Sequence, residues 1–277
     1  MKGDIARAIT LATYGTAFLR DNYNINKLTL EHPSFMFENK VEFLVFKKHF
    51  WRKPTWFNYA GNPIDWLKKL KEEGCKEIRM SFIDDNSVSL NGEKVPDYKL
   101  AGFVGGGGTR YIQTVFSDHS DMWQCREEVT NKNAPDNRIW SISYGRSLPG
   151  LQIQSTKKYD IENIKQRLKY KLTEISAFAN EEKLTFWAEW FQNALHQLDS
   201  ATPFDEGKVD QIIPPGTIDL KTSQLLAGSS KAWCFGGMGS WNDVGFTEKN
   251  TEDLYDRLTS ELYDIVNESY IAVANSY

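Results

Sequence analysis

The spacing of apolar residues changes once along this chain, and that change limits what it can fold into. Between about residues 77 and 154 the period is two: Ile78, Met80 and Phe82 alternate with polar partners, and residues 109–116 and 138–144 do the same. Such alternation marks strands with one face buried. Asp84, Asp85 and Asn86 turn the chain after the first run, Val88 and Leu90 continue it, and Asn91-Gly92 has the composition of a type I′ hairpin turn. After Tyr159 the interval becomes three or four. Ile161, Ile164, Leu168, Leu172 and Ile175 mark one helix face, and Leu184, Trp187, Phe191, Leu195 and Leu198 mark a second, with Ala179-Asn180 as the expected joint.

The flanks complete an α+β reading. Ile5, Ala8, Ile9, Ala12 and Thr16 follow Asp4 at helical spacing and predict an amphipathic, small-residue helix over 4–19. A strand is expected at 41–46. A short helix should open at Pro63 and close at Gly74, the usual places for these two residues. Residues 200–250, rich in proline and glycine, read as a loop-rich segment. Leu254, Leu258, Leu262, Val266 and Val273 then restore helical spacing, with Asn250 as N-cap. The expected architecture is one α+β domain over 1–277. Its largely antiparallel sheet (about 41–46 and 77–154) is covered by an N-terminal helix, two central helices and a C-terminal helix.

Bulk chemistry removes several classes of protein. With 40% hydrophobic and 25% charged residues and a mean hydropathy of -0.52, the chain is neither membrane-embedded nor disordered. The uncharged stretch 8–19 is shorter than the ~20 residues a membrane helix needs. Cys75, Cys125 and Cys234 are odd in number and scattered, which predicts reduced thiols and a cytoplasmic protein, with no disulfide framework. A net charge of -4 argues against duplex nucleic acid as partner. That charge is uneven, since residues 1–60 carry 9 cations against 5 carboxylates and residues 201–277 carry 5 against 12, so the two ends are expected to lie together.

Four constellations could carry chemistry. The tetraglycine at 105–108 could wrap an anion, but the strand pattern that follows it fits no dinucleotide or phosphate-loop motif, and a plain strand connection is the ordinary reading. Around Gly236, Gly237 and Gly239, the rings of Trp233 and Trp241 and the carboxylate of Asp243 suggest a contact loop with Trp241 partly exposed. The segment 46–59 interleaves cations with rings, including Lys48, Trp51 and Arg52, as platforms for single-stranded nucleic acid do, although it carries no RNA-binding signature. Asp118, His119 and Asp121 at a strand end could form a hydrolytic metal site with Glu127 and Glu128 nearby, against the ordinary reading of a polar loop. No serine-hydrolase elbow surrounds Ser147 or Ser240, and His32, His49 and His196 stand alone.

Taken together, these residues predict a cytoplasmic, non-enzymatic binding protein that recognises a protein or small ligand through aromatic loops at 46–59 and 233–243. It would need no cofactor, metal or membrane. An immunity or defence-associated inhibitor is one concrete form of that reading. The competing expectation is a metal-dependent hydrolase or nuclease using Asp118, His119 and Asp121.

Overall fold

A computed structural model describes residues 1–47, 55–83, 89–90, 93–153, 158–204 and 211–277. Helix α1 (Gly3–Asp21) leads into strand β1 (Glu38–Lys47), which turns back as β2 (Thr55–Ala60). Helix α2 (Pro63–Glu72) starts where Asn62 Oδ1 accepts the Asp65 backbone N–H at 2.9 Å, with Pro63 as its first residue. Then come β3 (Glu77–Ile83), the short pair β4 (Ser89–Leu90) and β5 (Glu93–Lys94), and the single turn α3 (Asp97–Leu100). The meander β6 (Thr109–Val115), β7 (Ser120–Val129) and β8 (Trp140–Leu151) precedes four helices: α4 (Ile161–Glu181), α5 (Thr185–Asp199), α6 (Leu220–Ala232) and α7 (Lys249–Ala274).

The α+β class and the mostly antiparallel sheet are as the apolar periods predict. Six strands lie in the order β2-β1-β8-β7-β6-β3, antiparallel throughout except for the parallel pair β1–β8. Several details differ from expectation. The run through Leu90 does not extend the meander, because β4 and β5 pair only with each other; the turn residues Asn91 and Gly92 lie outside the described residues. Strand β2 is added at an edge. Helix α6 stands inside the proline- and glycine-rich stretch, capped by Asp219 on the Thr222 N–H at 2.8 Å. The joint between α4 and α5 falls at Glu182–Leu184, and α7 begins after Glu248 instead of Asn250.

Helix α1 is not amphipathic. From Arg7 to Ala17 every residue is buried, so α1 is the central helix, held between the sheet and α7. Placing α1 beside α7 brings the basic and acidic ends together, and Arg20 reaches the Tyr277 carbonyl at 2.8 Å. Helices α4 and α5 pack chiefly on each other, on α6 and on α7. Much of the aromatic content is core: Phe43 stacks on Trp66 at 4.2 Å and on Tyr144 at 5.3 Å, and Trp123 meets Trp66 edge-on.

Side chains close the outer edge of β3. The Thr16 hydroxyl donates to the Ile78 carbonyl (2.8 Å) and accepts the Ile78 N–H (2.9 Å). Two residues along, Asn275 accepts the Met80 N–H at 2.8 Å and donates to its carbonyl at 2.9 Å. An open edge with free backbone groups invites pairing by other chains, and here α1 and the end of α7 occupy those groups instead. Asn275→Ala should therefore cost about 1–3 kcal/mol, the penalty of a buried donor and acceptor left unmade, and should speed hydrogen exchange at the Met80 amide. Unchanged exchange at Met80 would show that the edge is held by other means.

Candidate functional site

Strands β6 and β7 part beyond the Tyr111–Gln124 pair, after which β7 runs on to Val129 bonded only to β8. A cleft of about 450 Å³ opens in that gap, the lower part of the range for small-ligand sites. Its inner end meets the first turn of α1 and the glycine loop, with Asp4, Ala8, Arg110 and Tyr144 among its walls. Its outer end lies on the sheet face away from the helices, where Trp56, Gln124, Arg126, Ser143 and Gly145 line it. The sequence brings these outer residues together through register alone: Arg126 pairs with Ser143, and Gly145 lies between Leu44 and Gln124.

Buried charge holds the inner end rigid. Arg7 donates to both Glu38 and Glu127, and Arg110 donates to Asp4 at 3.0 Å and to Asn267 at 2.7 Å. Burial alone would raise the Asp4 carboxyl, yet Arg110, Lys2 and Arg7 around it hold it below the ordinary carboxylate value. Cys125, in the same wall, has its thiol pushed up to about 12 by burial, so it offers no thiolate nucleophile near neutral pH.

The outer end is different because its polar groups are unengaged. Among the described residues, Arg126 is the only arginine with neither a hydrogen bond nor an ion pair, and the Gln124 amide and Ser143 hydroxyl also lack partners there. Glu128, two residues along the strand, forms no ion pair with Arg126. Trp56 is 48% exposed and its six-membered ring rests over Gly145, where a Cβ would come within 2.9 Å of it. Phe46, 43% exposed, lies 5.2 Å from Trp56. A second hollow of about 430 Å³, between α4 and α7, contrasts with this wall: Lys171 and Arg167 there are paired with Glu261 and Glu268.

Packing explains the tetraglycine and the two Trp rings of the second glycine-rich segment. Side chains at Gly106, Gly107 and Gly108 would strike Leu100, Ala101 and the Phe82 ring within 3 Å, so the tetraglycine is a close-packed strand connection. Trp241 is not partly exposed as expected but fully buried: it sits among Phe178, Trp187, Phe191 and Tyr255, and its Nε1 donates to Thr259 at 2.9 Å. Trp233 is buried against Phe235 and Tyr263. Between them the loop carries Gly236, Gly237 and Gly239 to the surface, Asp243 accepts the Gly239 N–H, and Met238 stands fully exposed. The two Trp rings anchor this loop to the core; they do not project from it.

Asp118, His119 and Asp121 do come close, but they are already engaged. Asp121 lies in β7, not in a loop, and is 2% exposed. Its carboxylate accepts from Arg146 (3.1 Å) and from the Gly150 N–H (2.8 Å). His119 stacks on Phe116 at 4.5 Å and bonds Asp118 at 2.7 Å, a contact that lowers the Asp118 carboxyl below its ordinary value. Among the described residues no three His, Cys, Asp or Glu side chains group to hold a metal ion. Lys48, Trp51 and Arg52 lie outside the described residues, so of the aromatic and basic stretch only its two ends, at Phe46 and Trp56, are seen in place. Comparison with known protein families, with curated proteins and with solved structures gives no match in any of the three.

Trp241 supplies a direct check on the packing account of the second loop. Trp241→Ala should destabilise the protein by about 3–5 kcal/mol in denaturant unfolding, as core aromatic deletions do. Met238→Ala should stay within about 0.5 kcal/mol of wild type. Equal and small effects from the two variants would contradict the burial of Trp241.

Proposed function

We propose that this is a non-enzymatic, cytoplasmic binding protein that holds a small ligand in the cleft where β6 and β7 part, with Trp56 as its aromatic contact. The observation that carries the reading is a half-exposed Trp56 resting over a bare glycine backbone at a cleft mouth whose polar neighbours have no partners among the described residues. A ring kept half exposed loses apolar burial that a repacked side chain would recover, and binding surfaces are where such rings concentrate. The binding role is preferred to the hydrolase because Asp121, which the hydrolase needs as a ligand or base, is neutralised by Arg146 and fixed to Gly150.

No helix of the described residues is long and apolar enough to cross a membrane. Cys75, Cys125 and Cys234 are each unpaired, which supports the cytoplasmic part of the reading.

Trp56 is the residue to test. In saturation-transfer NMR, small ring compounds such as indole and benzoate should receive magnetisation from the wild-type protein. Trp56→Ala should weaken that binding by about 1–3 kcal/mol, the range for stacking on a protein ring, and change stability by about 1 kcal/mol at most. Ring compounds that bind the Trp56→Ala variant as well as wild type would refute the site.

A further inference from the structure

Resting on that reading, we infer that the ligand is a flat-ring molecule carrying an oxyanion, a carboxylate or a phosphate, which Arg126 grips while the ring lies on Trp56. Every other arginine described is committed to a carboxylate: Arg7 to Glu38, Arg20 to Glu77, Arg110 to Asp4, Arg138 to Glu31, Arg146 to Asp121 and Arg167 to Glu268 give the pattern. In a chain with 37 carboxylates and 33 lysines and arginines, a guanidinium without one is an exception. Arg126 is that exception, and it lies in the wall of the cleft.

The chemistry of the wall matches one kind of ligand. A guanidinium presents parallel N–H donors that fit the two oxygens of a carboxylate or phosphate, and it is less strongly hydrated than an ammonium. Ser143 faces Arg126 across the β7–β8 pair, and Gln124 lies one step along the same face, adding a hydroxyl and an amide without adding charge. Gly145 is the neighbour of Gln124 on β8, and the Trp56 ring rests over it. Arg126 is therefore the diagonal neighbour of Gly145, one strand over and two residues along, roughly 7–8 Å away, a span that a long arginine side chain reaching toward an oxyanion on the ring can cover.

The lining as a whole favours an anion, for Lys2, Arg110 and Arg126 outnumber the carboxylates Asp4 and Glu127, whereas the chain carries -4. A second arginine, Arg110, is buried behind the cleft and held by Asp4 and Asn267. Its charge is met by Asp4, so the anion preference rests on Arg126.

Two matched pairs of probes test the inference by calorimetry or NMR titration: benzoate against benzamide, and uridine 5′-monophosphate against uridine. At least one anion should bind ten or more times tighter than its neutral counterpart, with the affinity falling as salt is added. Arg126→Gln should abolish that difference while leaving the melting temperature unchanged, since the side chain has no partner among the described residues to lose. The arm that responds identifies the oxyanion as carboxylate or phosphate. Neutral and anionic members that bind equally, or an Arg126→Gln variant that keeps the preference, would overturn the inference and leave the ring site standing. Failure of all four to bind would overturn both.

Discussion

One buried guanidinium sets the frame on which the cleft is built. Arg7, inside the central helix, donates to Glu38 on β1 and to Glu127 on β7, the two strands on either side of β8. A single side chain thus straddles β8 and ties the two strands beside it to α1, where the sheet passes from the antiparallel pair β7–β8 to the parallel pair β1–β8. Such a network is weak evidence for net stability, because desolvating the ions offsets much of their attraction. Its effect is on specificity: Glu38 is 3% exposed, and without Arg7 it would be an unpaired charge in the core. Any rearrangement that slid α1 along the sheet would meet that cost.

The same contact explains why the cleft exists. Glu127 belongs to the part of β7 that has left β6, so Arg7 holds a strand end that has hydrogen bonds on one side only. On the other side of the gap Arg110, at the start of β6, is held by Asp4 and Asn267. Two arginines thus fix the two lips from beneath. Above them, on the sheet face, the side chains of Gln124, Arg126 and Ser143 have no partner among the described residues and can meet something else.

Periodicity made the large elements legible. The helix faces at Ile164, Leu168, Leu172 and Ile175, and at Leu258, Leu262, Val266 and Val273, are buried as their spacing requires. What escaped was whatever depends on tertiary neighbours. Strand β2 is an edge strand whose first four residues are exposed, so it has no alternating burial to betray it. Helix α6 carries Ala227, Gly228, Ser229 and Ser230, small residues that read as a loop until Leu198 is found packed against Gly228. Arg7 breaks no helical pattern, and nothing local marks it as buried.

The candidate site was legible only at its rim. The ring-and-cation stretch drew notice to the segment that ends at Trp56, but the residues that complete the wall come from β7 and β8, some 70 to 90 positions away, and form no motif. Conversely, the most conspicuous glycines and the Trp pair at 233 and 241 serve packing. The direct measurement is a crystallographic soak of the protein with a library of small ring compounds. Density is expected over the Trp56 ring, with acidic members within hydrogen-bond distance of Arg126. Compounds that settle in the hollow between α4 and α7, or beside Asp118 and His119, and leave the cleft empty would contradict it.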